Sequence, residues 1–488
     1  MALLGAWLGP PSQAAAQAPP TLPAEDEATA RQSREAALDP EFGPRLVIED
    51  IEVVGETSTA RRLILRTLPI AVGDALRAGD PRFRQARFKL LATGYFRTAE
   101  LALRKGSRPG HVVLMIEVED RGTVILNSAH FGTSSLTPWW AGLDVSESNL
   151  LGTGVGVGVG GMYAAASELD GARSQRGAQL RVSDPALLGS RFGAHGELFH
   201  TRASEPVRVR GEPDESTISD YCTLPYQRWG GRAGMGVELA PLSQLSVEMR
   251  VEGVERSGPL GPQGAACALA DGTLGPTDVQ LEPGRSRIVS VRAGVDRDTR
   301  PDPILPDRGT RLLILAEFGS TALGSDYGFA VLLASYSRWW PLRGRKQVLA
   351  VHLSGGMVLG RAARFDRLHV ADFNRLLTPR AYGLLTSTST TSLDVFGTGA
   401  DALDYGEYGG SAVFEYTYRL FRSRRYIYGG DVFVGAGIWG LGAREQVPPR
   451  PGDAAFPVDV LLDAGLRIDT EIGVFELTFA NALGRLPL

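Results

Sequence analysis

Two rhythms of apolar and polar positions divide the chain. Between residues 45 and about 119, apolar residues recur with helical spacing in two stretches, whereas from residue 120 onwards they alternate with polar residues in steps of two. Helical spacing is typical of an amphipathic helix, and a period of two is typical of a strand with one apolar face. The pattern therefore predicts a small mixed unit followed by a long series of strands.

The small unit has five predicted elements. A strand over 45–55 precedes a helix over 57–66, for which Thr57 is the expected capping residue. A second helix runs from about Asp80 to Thr93 and is broken at Gly94. Strands over 98–103 and 111–118 follow, separated by a turn-like segment. The predicted order is β-α-α-β-β, a small α+β domain.

The strands after residue 120 have the alternation of a membrane barrel. Leu245, Val247, Met249 and Val251 alternate with polar or charged residues. Such runs approach ten residues, which suits a tilted strand that crosses a membrane between lipid and a polar lumen. In the segment 152–161 glycine alternates with valine, so the valines are expected to face lipid and the glycines to line the interior. No apolar run is long enough for a membrane-spanning helix.

Loop lengths and aromatic positions agree with a barrel. A short connection such as 341–346 contrasts with long ones at 205–227, 256–284 and 358–409, as in barrels with short periplasmic turns and long external loops. Paired tryptophans at 139–140 and 339–340 lie near predicted strand ends, where aromatic side chains favour the membrane boundary.

The N-terminal region indicates export. Residues 1–18 form a short apolar run with a small-residue cleavage pattern ending at Ala18, which we interpret as a truncated signal peptide; a disordered start rich in Ala and Pro is the alternative. Residues 19–44 have the composition of a disordered linker. Export would allow Cys222 and Cys267, both in predicted loops on one side of the barrel, to form a disulfide; two unpaired thiols are the alternative.

Neither the composition nor the motifs indicate a nucleic-acid-binding, catalytic or metal site. The net charge of −4 argues against a nucleic-acid partner. No Gly-x-Ser-x-Gly motif for a serine hydrolase occurs, and His195 and His200 are expected to face opposite sides of a strand, which disfavours a metal site. We therefore predict a protein that is not an enzyme and binds no cofactor or metal.

Several short motifs occur in one order along the chain: Val54-Gly55, Gly94-Tyr95-Phe96, the segment 296–303, and 306–309. With the β-α-α-β-β unit before a barrel, this arrangement resembles the BamA/TamA outer-membrane assembly factors of the bacterial surface antigen family, from Arg45 to the end. The resemblance implies a POTRA domain over 45–119 in the periplasm and an outer-membrane barrel of about sixteen strands over 120–488. Only about four strands are found after the long loop, where the family has five.

The resemblance also implies a contact in the lumen. In the family, an Arg-Gly-Phe/Tyr tip on the long loop folds into the barrel and its arginine pairs with acidic groups on the wall. Arg380, Tyr382 and the strand residue Glu415 match that motif, although Ala381 replaces the glycine. Asp431 is a second wall partner that we infer from alternation, since it shares a face with Phe433. A solvated loop arginine is the alternative.

These features predict a factor that helps to fold, insert or translocate client polypeptides at the outer membrane. Unfolded clients, either barrel proteins or secreted polypeptides, would pair with the POTRA strand 111–118 and with the barrel seam between 123–131 and 475–483. Outer-membrane lipid and periplasmic accessory proteins are the other expected partners. The alternative is a secretion pore for a single substrate, or a passive channel.

Overall fold

The computed structural model describes residues 45–55, 57–77, 79–132, 138–166, 171–185, 187, 192–208, 221–240, 242–257, 265–268, 274–277, 280–301, 305–342, 346–370, 382–383, 404–423, 426–442 and 458–485. The expected fold class is confirmed: a small α+β sheet precedes a large antiparallel barrel. Neither of the two α-helices in this described part is long and apolar enough to cross a membrane.

The elements follow one another along the chain. The helices are α1 (Arg61–Thr67) and α2 (Pro81–Ala92). The strands are β1 (Leu46–Val54), β2 (Ala75–Leu76), β3 (Phe96–Lys105), β4 (His111–Asp120), β5 (Val124–Gly132), β6 (Trp140–Glu147), β7 (Gly156–Ala164), β8 (Gln175–Asp184), β9 (Phe192–Arg208), β10 (Tyr221–Ala240), β11 (Ser243–Arg256), β12 (Ala265–Ala268), β13 (Leu274–Thr277), β14 (Gly284–Asp298), β15 (Gly309–Gly319), β16 (Phe329–Pro341), β17 (Gln347–Gly360), β18 (Leu368–Val370), β19 (Tyr382–Gly383), β20 (Asp404–Gly406), β21 (Tyr408–Arg422), β22 (Ile427–Gly442), β23 (Val458–Thr470) and β24 (Gly473–Arg485).

The N-terminal domain, residues 46–120, is a four-stranded sheet in the order β2-β1-β4-β3. Strand β4 is parallel to its neighbour β1 and antiparallel to its other neighbour β3. Both helices bury their apolar residues against the sheet, so that Leu63 and Leu90 share one core with Ile48 and Leu114. The two-residue strand β2 adds an element that the sequence pattern did not predict.

The helix starts differ in how well they were predicted. Helix α2 begins as expected, because the Asp80 side chain accepts a hydrogen bond from Arg82 N at 2.9 Å. The predicted start of α1 at Thr57 is wrong: the helix begins at Arg61 and its N-cap Ala60 has no side-chain cap. The hydroxyls of Thr57 and Ser58 donate instead to Asp120 at the end of β4.

The barrel sheet has fifteen strands in the described part of the chain, one fewer than the sixteen of the resemblance. Neighbours in the sheet are neighbours in sequence once the hairpin β12–β13 and the short strands β18–β20 are set aside. Four strands, β21–β24, follow the long loop, as the sequence predicted.

Side chains alternate between lipid and lumen as predicted. Val159 on β7 and Leu198 on β9 are 59% and 63% exposed on the outer face. Gly158 and Gly160 face inward, where a Cβ on Gly160 would lie 2.7 Å from Asp144 Oδ2. Glycine on this wall therefore leaves room for the polar side chains of the neighbouring strands.

The first and last barrel strands do not form a ladder. Every ladder of the barrel is antiparallel, so in a series of fifteen strands β5 and β24 run in the same direction. Among the described residues, one backbone hydrogen bond joins the two edges, from Leu126 N to Ile472 O at 2.7 Å. At the same rim, Arg121 Nη2 lies 2.6 Å from Asp469 Oδ1. The seam is thus joined near the N-terminal domain.

Candidate functional site: the barrel lumen and its seam

The long loop after β17 enters the barrel and builds an apolar septum, which we define as the buried cluster around Phe365. Phe365, fully buried, stacks on Tyr226 of β10 with ring centroids 5.8 Å apart. The septum includes wall residues from β9 to β17, among them Val254 and Val358. The expectation of a polar lumen is therefore wrong at this level, because the loop brings its own apolar side chains into the barrel.

Charged contacts fix the septum to the wall. Asp366 on the loop accepts from Arg250 Nη1 at 2.9 Å, and both side chains are almost completely buried. Arg364 Nε donates to Glu205 Oε1 at 2.9 Å. Such charge-assisted contacts fix position more than they add net stability. Two charged side chains of the loop, Asp366 and Arg364, thus hold it to the barrel wall.

Acids and arginines continue from the septum along the inner wall. Arg250 contacts Glu252 and Glu317, and Arg292 bridges Glu317 at 2.7 Å and Glu248 at 3.1 Å. Arg232 follows, 3.5 Å from Glu248. Alternation along β11 and β14 predicted that Glu248, Glu252, Arg250 and Arg292 face inward. It did not predict Glu317 or Arg232, nor that these charges form one continuous network across strands.

The predicted wall acids lie inside the barrel. Glu415 and Asp431 are 2% and 3% exposed. Glu415 accepts from Arg467 of β23 at 2.6 and 2.8 Å, a partner that the sequence interpretation missed. Asp431 lies directly opposite Arg419 and Arg467 in the two neighbouring strands. Alternation already placed Arg467 inward; its pairing required the register of β21, β22 and β23.

The loop tip is only partly described. Arg380 lies outside the described residues, so its contact with Glu415 or Asp431 stays a prediction. Tyr382 is described as backbone in β19, which pairs in parallel with β18 and sets Tyr382 beside Leu368. The backbone after the tip therefore returns to the septum.

The disulfide also stays a prediction. Cys222 lies in β10 and Cys267 in β12, two strands that contact each other. Both positions were expected in loops, but both belong to strands. Their side chains lie outside the described part of the structure.

A cavity of about 1160 Å³ lies between the N-terminal domain and the lumen. Tyr95 of the N-terminal domain lines it together with Arg181, Glu197 and Glu248 of the wall. The Tyr95 hydroxyl donates to Gly154 O at 3.2 Å, and its burial raises the pKa of the hydroxyl. Lys89 on α2 contacts Glu238 at the end of β10. The N-terminal domain thus borders the mouth of the cavity.

The strand edges differ from those predicted. Strand β4, residues 111–120, was expected to offer a pairing edge, but it is internal because β1 and β3 occupy both of its sides. Strands β2 and β3 are the two outer strands of the sheet, and no strand of the described chain pairs with the other side of β3. Because β2 has only two residues, the longer edge available to another chain belongs to Phe96–Lys105.

Comparisons with known proteins agree with this architecture. A family model described as "Omp85 superfamily domain" matches residues 149–485. CdiB from Escherichia coli is 14% identical with a TM-score of 0.58, covering 91% of this chain and 74% of CdiB. A crystal structure of BamA from Haemophilus ducreyi lacking POTRA domains 1–3 is 14% identical with a TM-score of 0.51, covering 91% and 82%.

CdiB from Acinetobacter baumannii is 11% identical with a TM-score of 0.50, covering 90% of this chain and 74% of the other. At these identities the structural likeness shows the fold alone. No curated protein matches the chain.

Proposed function

This chain belongs to the Omp85 superfamily of outer-membrane β-barrel proteins, and on that premise we propose that it helps client polypeptides to fold into, insert into or cross the outer membrane. The N-terminal domain faces the periplasm in this proposal and receives the clients. The clients are unfolded barrel proteins or secreted polypeptides, and periplasmic accessory proteins deliver them.

The unpaired seam is the observation that carries the proposal. A strand edge presents backbone donors and acceptors that need partners in lipid, because hydrocarbon offers none. Between β5 and β24 the described residues supply one such bond, Leu126 N to Ile472 O. Because β5 and β24 run in the same direction, one added strand of opposite direction would pair antiparallel with both edges. The seam therefore suits a strand from a client.

The free edge of β3 offers a second pairing surface. Its outer half is exposed from Ala102 to Lys105, and Leu103 is 38% exposed. A client strand can add there by β-augmentation, with backbone hydrogen bonds supplying affinity independent of sequence. This edge would hold a client in the periplasm before it reaches the seam.

The septum favours a lateral route for clients over a route through the lumen. Phe365 and its neighbours form a packed apolar layer inside the barrel, which Asp366 and Arg364 anchor to the wall. A polypeptide passing along the barrel axis would have to displace this layer. A client pairing at the seam would leave it in place.

The second candidate is a secretion pore for one substrate. The cavity beside Tyr95 favours it, since about 1160 Å³ exceeds the roughly 300–1,000 Å³ of ordinary small-ligand sites. In that case the loop with the septum acts as a plug that leaves the lumen when the substrate arrives.

Depletion of the protein in its native organism separates the two candidates. An assembly factor predicts reduced amounts of many outer-membrane barrel proteins, measured by quantitative proteomics of isolated outer membranes. Loss of a single secreted protein with a normal outer-membrane proteome would contradict the assembly role and support the pore.

A further inference from the structure

The outer face of strands β7–β11 changes from apolar to charged over three successive rows of cross-strand neighbours. The row nearest the middle of the barrel contains Val159, Leu180, Leu198 and Val251, which are 41–63% exposed. These side chains have the character of a lipid-facing surface.

The next row towards the strand ends is typical of a membrane boundary. His200 on β9 lies opposite Trp229 on β10, and Trp229 is 39% exposed. One row further, Tyr163 ends the outer face of β7 and packs on Trp139 with ring centroids 5.2 Å apart. Tryptophan and tyrosine concentrate where hydrocarbon meets headgroups.

Two arginines stand in the same row as Tyr163. Arg176 on β8 is directly opposite Tyr163 on one side and Arg202 of β9 on the other. Like charges directly opposite each other in a sheet repel, since their Cβ atoms are about 4.5–5.5 Å apart. The next residue of the row, Gln227 on β10, is neutral and does not offset them.

Neither guanidinium has a partner within the described part of the chain. No side-chain hydrogen bond or ion pair involves Arg176 or Arg202, whereas further along the same row Arg285 pairs with Glu255. The Nε atom of Arg202 is also buried and bonded to nothing described. A buried donor without an acceptor is costly, so the described residues leave the hydrogen-bonding capacity of the Arg202 side chain unsatisfied.

We propose that Arg176 and Arg202 bind the phosphate of a lipid headgroup in the outer leaflet. Arg176 is the second residue of β8, whose far end at Asp184 borders the cavity beside the N-terminal domain. The pair therefore lies at the opposite rim, which is the cell surface in the proposed orientation. Phosphate accepts bidentate hydrogen bonds from arginine and neutralises two adjacent cations.

The lipid phosphate explains the three features together. It supplies acceptors to two guanidinium groups that have no partner among the described residues, it removes the repulsion between the two arginines, and it sits at the depth that Tyr163 and Trp229 mark. The site uses neither the seam nor the septum. It therefore holds for an assembly factor and for a secretion pore, provided that the N-terminal domain faces the periplasm.

The test compares lipid binding by the full chain and its variants in lipid nanodiscs. Diphosphoryl lipid A and its dephosphorylated form serve as probes, and native mass spectrometry after detergent release counts the retained lipid. We expect R176Q/R202Q to retain roughly tenfold less diphosphoryl lipid A than the unaltered chain, since two charge-assisted contacts are lost. Arg338→Gln is the matched control, because Arg338 lies over Trp340 in the other half of the barrel.

Each outcome decides the proposal. Equal retention by the double variant, or equal binding of the dephosphorylated lipid, would overturn it. Displacement of the lipid by millimolar inorganic phosphate would reassign the site to a free anion. If the double variant fails to fold, as judged by heat-modifiable mobility, Arg202→Lys gives a second test: it keeps the charge but removes the planar guanidinium that binds phosphate bidentately, and retention must still fall.

Discussion

At the scale of single residues, the contact between the septum and the wall depends more on one arginine, Arg250, than on any one of the acids around it. Arg250 faces three acids, Asp366, Glu252 and Glu317, all nearly inaccessible to solvent. Removing one acid leaves Arg250 with two partners. Removing Arg250 takes from Asp366 its only ion pair among the described residues, and leaves Glu252 and Glu317 to Arg228 and Arg292. An arginine at the centre of such a cluster therefore matters more than any one of its acids.

We predict that Arg250→Met lowers the free energy of unfolding by about 3–5 kcal/mol and Asp366→Asn by about 1–3 kcal/mol. Urea unfolding in lipid vesicles, followed by tryptophan fluorescence, measures both. The double variant R250M/D366N should be less destabilised than the sum of the single variants, because one carboxylate is no longer stranded. Equal losses of unfolding free energy in the two single variants would contradict the greater importance of Arg250.

The loop arginine gives a second prediction. Arg380→Ala and Glu415→Ala should each impair client assembly in cells, because the resemblance pairs the two residues. Glu415 already has a partner in Arg467, so the Glu415 variant alone does not identify the contact. The double variant R380A/E415A should therefore be no worse than E415A alone. Near-normal activity in both single variants would refute the contact between Arg380 and Glu415. The variant Arg467→Gln is the control, because it removes only the ion pair between Arg467 and Glu415.

Alternation could place these residues on a face but not in a pair. Glu415 and Asp431 point inward because their neighbours along the strand alternate, and this is a local property of the sequence. Arg467 is distant from Glu415 in sequence, and their contact depends on the register across three strands. Asp366 lies in a loop, where no periodicity applies, so the septum could not be predicted.

At the scale of elements, alternation and capping rules predicted a strand or helix correctly where no residue distant in sequence competed for the same groups. The glycine and valine alternation predicted both faces of β7. At α1, the hydroxyls of Thr57 and Ser58 bind Asp120, and Ala60 N donates to Gly152 O of the barrel. The helix start was therefore set by tertiary contacts that a capping rule does not include.

Helix α2 offers a prediction about its cap. The Asp80 carboxylate accepts from Arg82, which lowers its pKa below the unfolded value of about 3.9. The group therefore stabilises the helix fully above that value, and the contribution is lost as pH falls through the lower folded pKa. Asp80→Ala should cost about 1 kcal/mol near neutral pH.

Hydrogen exchange of the α2 amides in the full chain measures this cap. About 1 kcal/mol corresponds to roughly fivefold faster exchange in Asp80→Ala at neutral pH. The difference should shrink as the pH is lowered below the folded pKa, whereas Asp80→Asn, a neutral cap, should show no such pH dependence. A difference between the unaltered chain and the Asp80→Ala variant that persists unchanged in acid would contradict the charged cap.

At the scale of the whole molecule, two routes lead out of the periplasm: one along the barrel axis and one sideways through the seam. The septum blocks the first, and the seam leaves the second only weakly joined. Inside the barrel, the septum and its network of buried charges hold one closed arrangement. At the barrel edge, β5 and β24 share a single described backbone bond near Leu126 and Ile472. The edge is therefore the part of the barrel that can open with the smallest loss of hydrogen bonds.

The seam gives the last prediction. Leu126→Cys and Ile472→Cys, joined by a short bis-maleimide, should abolish the insertion of a urea-unfolded barrel protein into vesicles, because the edges can no longer part for a client strand. The matched control joins Val145→Cys and Val159→Cys, opposite residues of the permanently paired β6 and β7. That control should insert clients as fast as the unlinked chain. Full activity of the seam-linked chain would rule out lateral opening at this edge and leave the lumen, with its septum displaced, as the route.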